Sequence, residues 1–355
     1  MSKPEHKPIA IVGGARPNFM KIVPLARVLT ERDVPYYVVN AGQHFSKEMS
    51  QDFFLEFNLS VDYELEPDVS EKEKQLQEIQ SGLARIFREH PPAMVVVVGD
   101  VDATLIAARV AHELAIPVAH VEAGLRSYNP KMREEYNRVE TDKIAVLKFA
   151  SSDDAAQTLR KEGLDKGVQV VGNIMIDLLK LHEPAVKEII EPFYFVTLHR
   201  AENVDDKHIF EQILSALEEI RKDATIYLPL HPRTKKKAEE FGLLPRLEKA
   251  CHVLPALSYV ESVYYQKNAR LVLTDSGGVQ EETSVLGTPC ITMRTETERP
   301  ITVEQGTNVV AGVTKEGILQ AYRAITVTKR PAQIPLWDGK AAQRIIDSIE
   351  TYVWH

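Results

Sequence analysis

Short, strongly apolar segments recur along this chain, and a stretch with helical periodicity follows most of them. The clearest is MVVVV at residues 94–98, a run that is typical of a central parallel strand because such strands are buried on both faces. Alternating strands and helices predict parallel sheets with right-handed crossovers. We therefore expect an α/β protein.

The alternation runs to about residue 171 and then restarts at residue 193, with Pro184 and Pro192 in the joint at 172–192. At roughly 100–200 residues per domain, a chain of 355 residues is expected to form two domains. We predict two doubly wound, Rossmann-like domains with a cleft between them. The expected division is residues 1–175, residues 176–335, and a C-terminal helix in 336–355 that packs back on the first domain.

The individual predictions follow the apolar runs and the helical periodicity. Strands are expected at 9–12, 36–39, 94–98, 118–121, 148–150, 168–171, 193–198, 225–230, 271–273 and 290–293. Helices are expected at 46–57, 71–90, 102–114, 133–143, 206–221, 258–267 and 340–353.

Composition restricts the possible partners. The net charge of −8 disfavours binding to nucleic acid or to a membrane surface. No run approaches the roughly 18 apolar residues of a transmembrane helix, and the N-terminal apolar stretch is too short for a signal peptide. Cys251 and Cys290 both lie in apolar sequence. We expect a cytoplasmic protein with two reduced core thiols.

The stretch after the strand at 271–273 has the form of an anion site. Thr274 to Gly278 make a polar, glycine-rich turn, and a helix follows it. The first N–H groups of a helix lack internal partners and carry partial positive charge. Gly277 and Gly278 allow a phosphate to approach the backbone, and Ser276 offers a hydroxyl. The carboxylate of Glu282 suits a ribose, so we predict a site for a nucleotide diphosphate; an ordinary strand–helix turn is the alternative.

Polar residues also follow the first strand. Arg16 and Lys21 lie near the start of the next helix, where a cation gains nothing from the helix dipole. This mismatch hints at an anionic ligand. Two solvated surface cations explain the pattern equally well.

Acids and a histidine stand at the predicted carboxyl ends of other strands, where ligands bind in open α/β sheets. Asp100 and Glu122 end two strands, and His199 ends a third. Glu134 lies in the first turn of a helix, where stabilisation of the dipole is an alternative explanation. A structural role is the alternative for His199. If the acids converge, mutual repulsion should raise the pKa of at least one and fit the group for acid–base catalysis.

Several chemistries lack their usual motifs. There is no CxxC pair and no HExxH, so no metal is expected. No GxGxxG follows the first strand, which disfavours a nicotinamide, and no GxSxG indicates a serine hydrolase. We expect no cofactor.

Taken together, the motifs resemble those of the non-hydrolysing UDP-N-acetylglucosamine 2-epimerases. The matching segments, in order, are GGARPNFMKIVPL, AGQHF, VVGDVDATL, HVEAGLRS, REEYNR, VGNIMID, VTLHRAENVDD, LPLHPRTKK, LTDSGGVQEETSVLGTPC and TERPITVEQGTN. The resemblance implies a GT-B type of fold and inversion at C2 of a UDP-sugar, by elimination of UDP to 2-acetamidoglucal and re-addition. It also implies a cytoplasmic homodimer that serves polysaccharide biosynthesis.

The resemblance carries roles to particular residues. It implies that Asp100, Glu122 and Glu134 are catalytic carboxylates and that His199 aids the leaving group. The implied substrate-binding residues are Arg16, Lys21, His231, Ser276, Gly277, Gly278, Glu282 and Arg299.

Two departures from the family pattern matter. Arg133 stands where the family usually has proline, and it is expected either to lower the pKa of Glu134 or to contact a carboxylate on the substrate. The second option fits a uronate such as UDP-2,3-diacetamido-glucuronate. Gln43 and His44 partly match an activator site of some members, but residues 45–47 depart from it, so weak or absent activation is expected.

Other functions stay open at this point. A hydrolysing 2-epimerase would release UDP and free N-acetylmannosamine, but usually has an acid-and-aromatic motif where this chain has Pro17, Asn18 and Phe19. A GT-B glycosyltransferase would need an acceptor and would leave Asp100 and Glu122 without evident roles. A catalytically inactive sensor of sugar nucleotides is disfavoured by the intact acids.

Overall fold

The structure is a computed structural model that describes residues 6–43, 54–130, 132–183 and 191–354. The chain divides into two compact units. The first consists of Met1–Leu178 and Pro335–His355, and the second of Leu179–Ile334. Both are parallel α/β units, as the alternation of apolar runs and helical segments predicts.

The first unit contains a seven-stranded sheet in the order β3-β2-β1-β4-β5-β6-β7. Its strands are β1 (Ile9–Gly13), β2 (Tyr36–Asn40), β3 (Tyr63–Glu64), β4 (Met94–Val98), β5 (Val118–Ala123), β6 (Leu147–Ala150) and β7 (Val168–Val170). Strand β1 pairs in parallel with β2 on one side and with β4 on the other. The order therefore reverses between β1 and β4, and in open sheets this reversal marks the ligand site.

Most helices of the first unit bury apolar side chains. The helices of this unit are α1 (Arg16–Glu31), α2 (Lys72–Glu89), α3 (Asp102–Glu113), α4 (Arg133–Ile144), α5 (Asp153–Lys161), α6 (Ile174–His182, shared with the second unit) and α15 (Ala341–Trp354). In α2, Ile79, Leu83 and Phe87 recur at helical spacing and are buried in the core formed with β4 and α3.

The second unit repeats the plan with a six-stranded parallel sheet in the order β10-β9-β8-β11-β12-β13. Its strands are β8 (Phe193–Thr197), β9 (Thr225–Pro229), β10 (His252–Leu254), β11 (Leu271–Thr274), β12 (Cys290–Thr292) and β13 (Asn308–Val310). Its helices are α7 (Ala201–Val204), α8 (Lys207–Ile220), α9 (Pro232–Glu240), α10 (Leu244–Ala250), α11 (Tyr259–Asn268), α12 (Gly277–Leu286), α13 (Pro300–Glu304) and α14 (Lys315–Ala324). Here the order reverses between β8 and β11.

Some local predictions need correction. The joint at 172–192 contains helix α6, whose residues from Ile174 to Leu179 are all buried and therefore show no polar face. Strands β3, β10 and β13 were not predicted because they have only two or three residues and are partly exposed. Most of the helix predicted at 46–57 lies outside the described residues, as does His44 of the predicted activator site.

Helix α15 belongs to the first unit. Its residues Ile345, Ile346 and Ile349 are buried. Its first N–H groups are bound by a residue far away in sequence: Asp177 accepts hydrogen bonds from Ala341 N at 3.1 Å and from Ala342 N at 2.7 Å. The C-terminal segment is thus an integral part of the first unit.

Both cysteines, Cys251 and Cys290, are buried free thiols. Among the described residues, none of the helices combines the length and the apolar character that crossing a bilayer requires.

The Asp177 carboxyl predicts a pH effect on stability. Burial raises its pKa from 3.8 to about 6, against the opposing hydrogen bonds from α15. Between about pH 4 and 6 the folded chain therefore keeps a proton that the unfolded chain has lost, so the free energy of unfolding falls as pH rises. At about 1.4 kcal/mol per pKa unit the loss is about 3 kcal/mol. In urea unfolding at several pH values, Asp177→Asn should lack this decline; an unchanged pH slope would contradict the prediction.

Candidate functional site

The loop after β1 is tied to the end of β4, at the point where the order of the first sheet reverses. Asn18 Oδ1 accepts hydrogen bonds from Gly14 N and Ala15 N, both at 3.1 Å, and Asn18 Nδ2 donates to Val98 O at 2.9 Å. These bonds fix the start of α1 against the strand that leads to Asp100. The predicted site residues of the first unit are therefore mounted on rigid elements.

Glu122 is buried at the end of β5 and has an unusual backbone. Its φ is +73°, a left-handed conformation that is uncommon for a residue other than glycine. The pairing of β5 with β6 shifts register between Val121 and Ala123, so Glu122 lies in a bulge. Such strained residues are typical of functional sites.

The Glu122 carboxylate forms an ion pair with the buried ammonium of Lys21. Gly99 lies beside this pair, because a Cβ at Gly99 would be 3.1 Å from Lys21 Nζ and 3.8 Å from Glu122 Oε2. Lys21 and Glu122 therefore meet directly beside the residue that precedes Asp100. The other predicted cation of this region, Arg16, is exposed at the first position of α1.

Asp100 also has a cation of its own. Arg138 Nη2 lies 2.6 Å from Asp100 Oδ2, and Arg138 Nη1 lies 3.1 Å from Glu135 Oε2. Asn137 Nδ2 donates to Asp100 O at 2.9 Å. Helix α4 thus holds both the side chain and the backbone of Asp100. A neighbouring cation neutralises Asp100, and another neutralises Glu122. The expectation that the acids repel one another did not include these cations.

The two acids that begin α4 differ in environment. Glu134 is exposed, whereas Glu135 is buried and accepts hydrogen bonds from Ser127 N at 2.8 Å and Tyr128 N at 3.1 Å. Of the two, Glu135 is the one that the structure connects to Asp100, through Arg138.

Arg133 has a partner that the sequence did not suggest. Its Nε lies 2.5 Å from Asp102 Oδ1, and Lys72 Nζ lies 2.7 Å from the other oxygen of Asp102. Burial raises the pKa of Asp102, but these two cations outweigh it and hold the pKa below its usual range. Arg133 therefore neutralises Asp102 at the start of α3, which accounts for a cation at this position without a contact to Glu134 or to a ligand.

In the second unit, His199 lies at the end of β8, beside the end of β11. Its Nδ1 is 2.9 Å from Oδ1 of Asp275, and the other oxygen of Asp275 accepts hydrogen bonds from His199 N and Arg200 N, both at 2.8 Å. Asp275 is fully buried. Burial raises its pKa, but the contacts with His199 and the backbone outweigh this effect, so the net pKa is lowered. An ionised Asp275 fixes the His199 ring.

His231 is next to His199, with ring centroids 5.5 Å apart. It caps α9, where its Nδ1 accepts a hydrogen bond from Arg233 N at 3.2 Å. Partial desolvation and the adjacent His199 lower the pKa of His231. A neutral ring at this position can donate from Nε2 to an anion.

The turn formed by Ser276, Gly277 and Gly278, here called the SGG turn, begins α12 beside His199 and Asp275. Ser276 is the N-cap residue, although its side chain makes no capping hydrogen bond. A Cβ added at Gly277 or at Gly278 would meet nothing within 4 Å. Packing within the chain therefore does not require glycine at either position, and the helix start faces open space.

Glu282, the predicted ribose ligand, lies in α12 and is buried. Its Oε2 accepts a hydrogen bond from Gln266 Nε2 at 2.7 Å. Burial raises the pKa of Glu282 to about 7, and hydrogen bonds from Gln266 and Tyr259 oppose this rise. The carboxyl group is thus already bonded to groups of its own unit.

Arg299 is the N-cap residue of α13, and its Nε lies 2.5 Å from Glu281 Oε1 in α12. The loop before it is fixed by the buried Arg294, whose guanidinium contacts both oxygens of Glu298 at 2.8 and 3.0 Å. The ion pair of Arg294 and Glu298 closes the loop on itself, and the contact of Arg299 with Glu281 joins the end of the loop to α12.

Comparison with known proteins agrees with this geometry. The family model described as UDP-N-acetylglucosamine 2-epimerase matches residues 27–350. The chain is 38% identical over 356 residues to the UDP-N-acetylglucosamine 2-epimerase of Methanocaldococcus jannaschii, with 95% of this chain and 97% of the relative covered. The chain belongs to the UDP-N-acetylglucosamine 2-epimerase family.

Two further comparisons describe the range of this family. A crystal structure of the M. jannaschii enzyme in complex with UDP-GlcNAc and UDP has a TM-score of 0.87 and covers 97% of this chain and 99% of its own, at 38% identity. A UDP-2,3-diacetamido-2,3-dideoxy-D-glucuronate 2-epimerase of Pseudomonas aeruginosa is 35% identical over 326 residues, which are 89% of this chain and 91% of that protein. The predicted α/β fold of the GT-B type, the family and the isomerase class are confirmed.

Sequence reasoning missed the residues that hold the predicted ones. Asp275 carried a usable signal, since it follows a buried strand just as Asp100 does. Arg138 lies in REEYNR, four residues after Glu134, but the sequence alone did not show which acid it pairs with.

The ion pair of Lys21 and Glu122 predicts a strong effect of Lys21→Met. The side chains are only 11% and 5% exposed, so removing the cation leaves a buried carboxylate without it. We expect the free energy of unfolding to fall by ~3–5 kcal/mol in urea titrations.

Arg27→Met is the matched control, because Arg27 in the same helix pairs with Glu31 at 54% and 55% exposure. This control should cost less than ~0.5 kcal/mol. Equal losses in the two variants would show that the buried ion pair has no special role.

Proposed function

We propose that this chain interconverts UDP-N-acetylglucosamine and UDP-N-acetylmannosamine. The observation that carries the proposal is its full-length similarity to an epimerase whose structure holds UDP-GlcNAc and UDP, at 38% identity. The geometry is compatible with it, because each unit presents its predicted site residues where the order of its sheet reverses. The reaction requires acids for proton transfer and fixed donors for a departing diphosphate.

The proposed chemistry is elimination followed by re-addition. A base takes the proton from C2 of the sugar while the bond between C1 and the UDP oxygen breaks, so that a C1–C2 double bond forms and UDP leaves with the electron pair. UDP then adds back to C1 while a proton reaches C2 on the opposite face. All atoms are recovered, and no external oxidant or cofactor is needed.

We assign the proton transfers to Asp100 and Glu122. Asp100 follows the end of β4 and Glu122 lies at the end of β5. Gly99 places the turn of Asp100 directly beside the Glu122 carboxylate. Lys21 and Arg138 hold the two carboxylates in fixed positions. Glu134, exposed at the first turn of α4, is the third acid that the family resemblance implies.

We assign the UDP moiety to the second unit. The SGG turn offers the first N–H groups of α12, the Ser276 hydroxyl and open space, which suits a diphosphate. His199, oriented by Asp275, and its neighbour His231 supply donors for the charge that develops on UDP. Removing one such fixed donor typically costs ~3–4 kcal/mol of barrier.

Arg299 and Glu282 have less direct roles in this proposal. Arg299 is held beside α12 by Glu281 and serves as a substrate-binding cation. Glu282 is bonded to Gln266 within its own unit, so a ribose hydroxyl would have to share its carboxyl oxygens.

The uronate alternative depended on Arg133, whose Nε contacts Asp102. With that cation engaged, no described contact favours a uronate over the N-acetylhexosamine. The P. aeruginosa relative nevertheless makes the diacetamido-glucuronate the right competing substrate to assay.

Incubation in heavy water with UDP-N-acetylglucosamine tests the proposed function. We expect NMR to show solvent deuterium at C2 of both epimers while UDP stays attached. Free N-acetylmannosamine would indicate the hydrolysing reaction. Absence of both changes, together with turnover of the uronate, would assign the alternative substrate.

Asp100→Asn and Glu122→Gln test the proton-transfer roles. We expect each to lower kcat by roughly 10²–10⁴-fold, since loss of an acid–base group typically has that effect. The Kd for UDP, measured by calorimetry, should change by less than about twofold because UDP is assigned to the other unit. Glu113→Gln, an exposed acid at the far end of α3, should leave both quantities unchanged. Parallel loss of UDP binding and activity would contradict the assignment.

The family resemblance also supports a homodimer that acts in the cytoplasm in polysaccharide biosynthesis. Light scattering of the purified protein at assay concentration tests whether it is a homodimer.

A further inference from the structure

His120 is a fully buried histidine for which the proposed reaction has no use so far. It lies in β5, two residues before Glu122. Its Nδ1 is 2.7 Å from Asp142 Oδ1, and its Nε2 is 2.9 Å from Gly99 O. Both ring nitrogens thus lie within hydrogen-bond distance of an oxygen atom. His120 bridges helix α4 and the turn after β4.

Asp142 extends the same network to the turn after β5. Its Oδ2 accepts a hydrogen bond from Gly124 N at 3.2 Å and lies 2.8 Å from Arg126 Nη2. Arg126 in turn contacts Glu162, the C-cap residue of α5, through two hydrogen bonds of 2.9 and 2.7 Å. The pair of His120 and Asp142 therefore binds one backbone group before Asp100 and one after Glu122.

The backbone at these turns is strained and needs such support. Gly99, Glu122 and Gly124 all have positive φ, at +69°, +73° and +82°. Strained conformations persist only where the surrounding structure determines them. The network binds the first and the last of these three residues, and Glu122 lies between them.

Stability alone does not account for this arrangement. Buried ion pairs are often no more stabilising than well-packed apolar residues of similar volume. The network also reaches the backbone on either side of the proposed acids, at Gly99 O and at Gly124 N.

We propose that His120 and Asp142 are positioning residues for the epimerase reaction. They fix the peptide that precedes Asp100 and the turn that carries Glu122, so that both carboxylates hold the geometry needed at C2. The assignment rests on the proposed function. A misplacement of about 1 Å in a reacting group can cost roughly 100-fold in rate.

Two substitutions of His120 separate its two contacts. The amide nitrogen of His120→Gln can replace Nε2 and donate to Gly99 O, whereas that of His120→Asn reaches only Asp142. We expect His120→Asn to lower kcat by about 10- to 100-fold with KM within about threefold, and His120→Gln to keep kcat within about fivefold. Asp142→Asn retains an acceptor for Gly124 N, so its kcat should lie between those of the two His120 variants.

Leu83→Ala is the control for lost stability, because Leu83 is fully buried in the core of the same unit but lies in α2, apart from the hydrogen-bond network of His120 and Asp142. It should lower the melting temperature and leave kcat of the folded protein unchanged. If both His120 variants lose kcat equally, or keep wild-type kcat, the proposal is wrong.

Crystal structures of the variants provide a readout that does not depend on activity. In His120→Asn the backbone of Gly99 and the φ of Glu122 should change, while His120→Gln should preserve them. Unchanged backbones in both would overturn the positioning role even if the wild type proves to act on another substrate. Inactivity of the wild type towards UDP-N-acetylglucosamine would refute only the proposed function.

Discussion

The parallel pairing of one central strand with neighbours on both sides is the constraint on which each unit depends. Strand β1 lies between β2 and β4, and β8 lies between β9 and β11. The chain turns to one side of the sheet after β1 and to the other side after β4, and it does the same after β8 and β11. The segments that follow these strands therefore diverge, which leaves the carboxyl ends of the strands accessible. Asp100 and the start of α1 occupy this position in the first unit. His199 and the SGG turn occupy it in the second.

Buried charges at these strand ends are matched by specific partners. Lys21 neutralises Glu122, Arg138 neutralises Asp100, and His199 contacts Asp275. Burying an ion costs several kcal/mol unless a partner and hydrogen bonds compensate it, so each pair restricts the positions that its side chains can take. The ion pairs thereby convert the accessible strand ends into sites with fixed side chains. Rigid placement of this kind is what proton transfer at a carbon atom requires.

Sequence patterns predicted the features that depend only on residues close together in the chain. The β-branched run of β4 and the positions of Asp100 and Glu122 at strand ends could be read directly, because a buried parallel strand needs such a run and ends where polar residues begin. Helix α6 was missed because its residues from Ile174 to Leu179 are all buried and show no polar face. The ion-pair partners of Asp100 and Arg133 could not be predicted from the sequence, because these pairs join residues more than 30 positions apart. The left-handed backbone of Glu122 likewise has no sequence signal.

The two ends of the chain fold into the same unit, and this fixes an order of assembly. The second unit is continuous from Leu179 to Ile334, so all of its strands have been synthesised before α15 leaves the ribosome. The first unit lacks α15 until the segment after the second unit has been synthesised, and Asp177 meanwhile has no Ala341 or Ala342 to bind. Domains generally fold as units during synthesis, with the N-terminal one first. Here all strands of the second unit are available before the first unit receives α15.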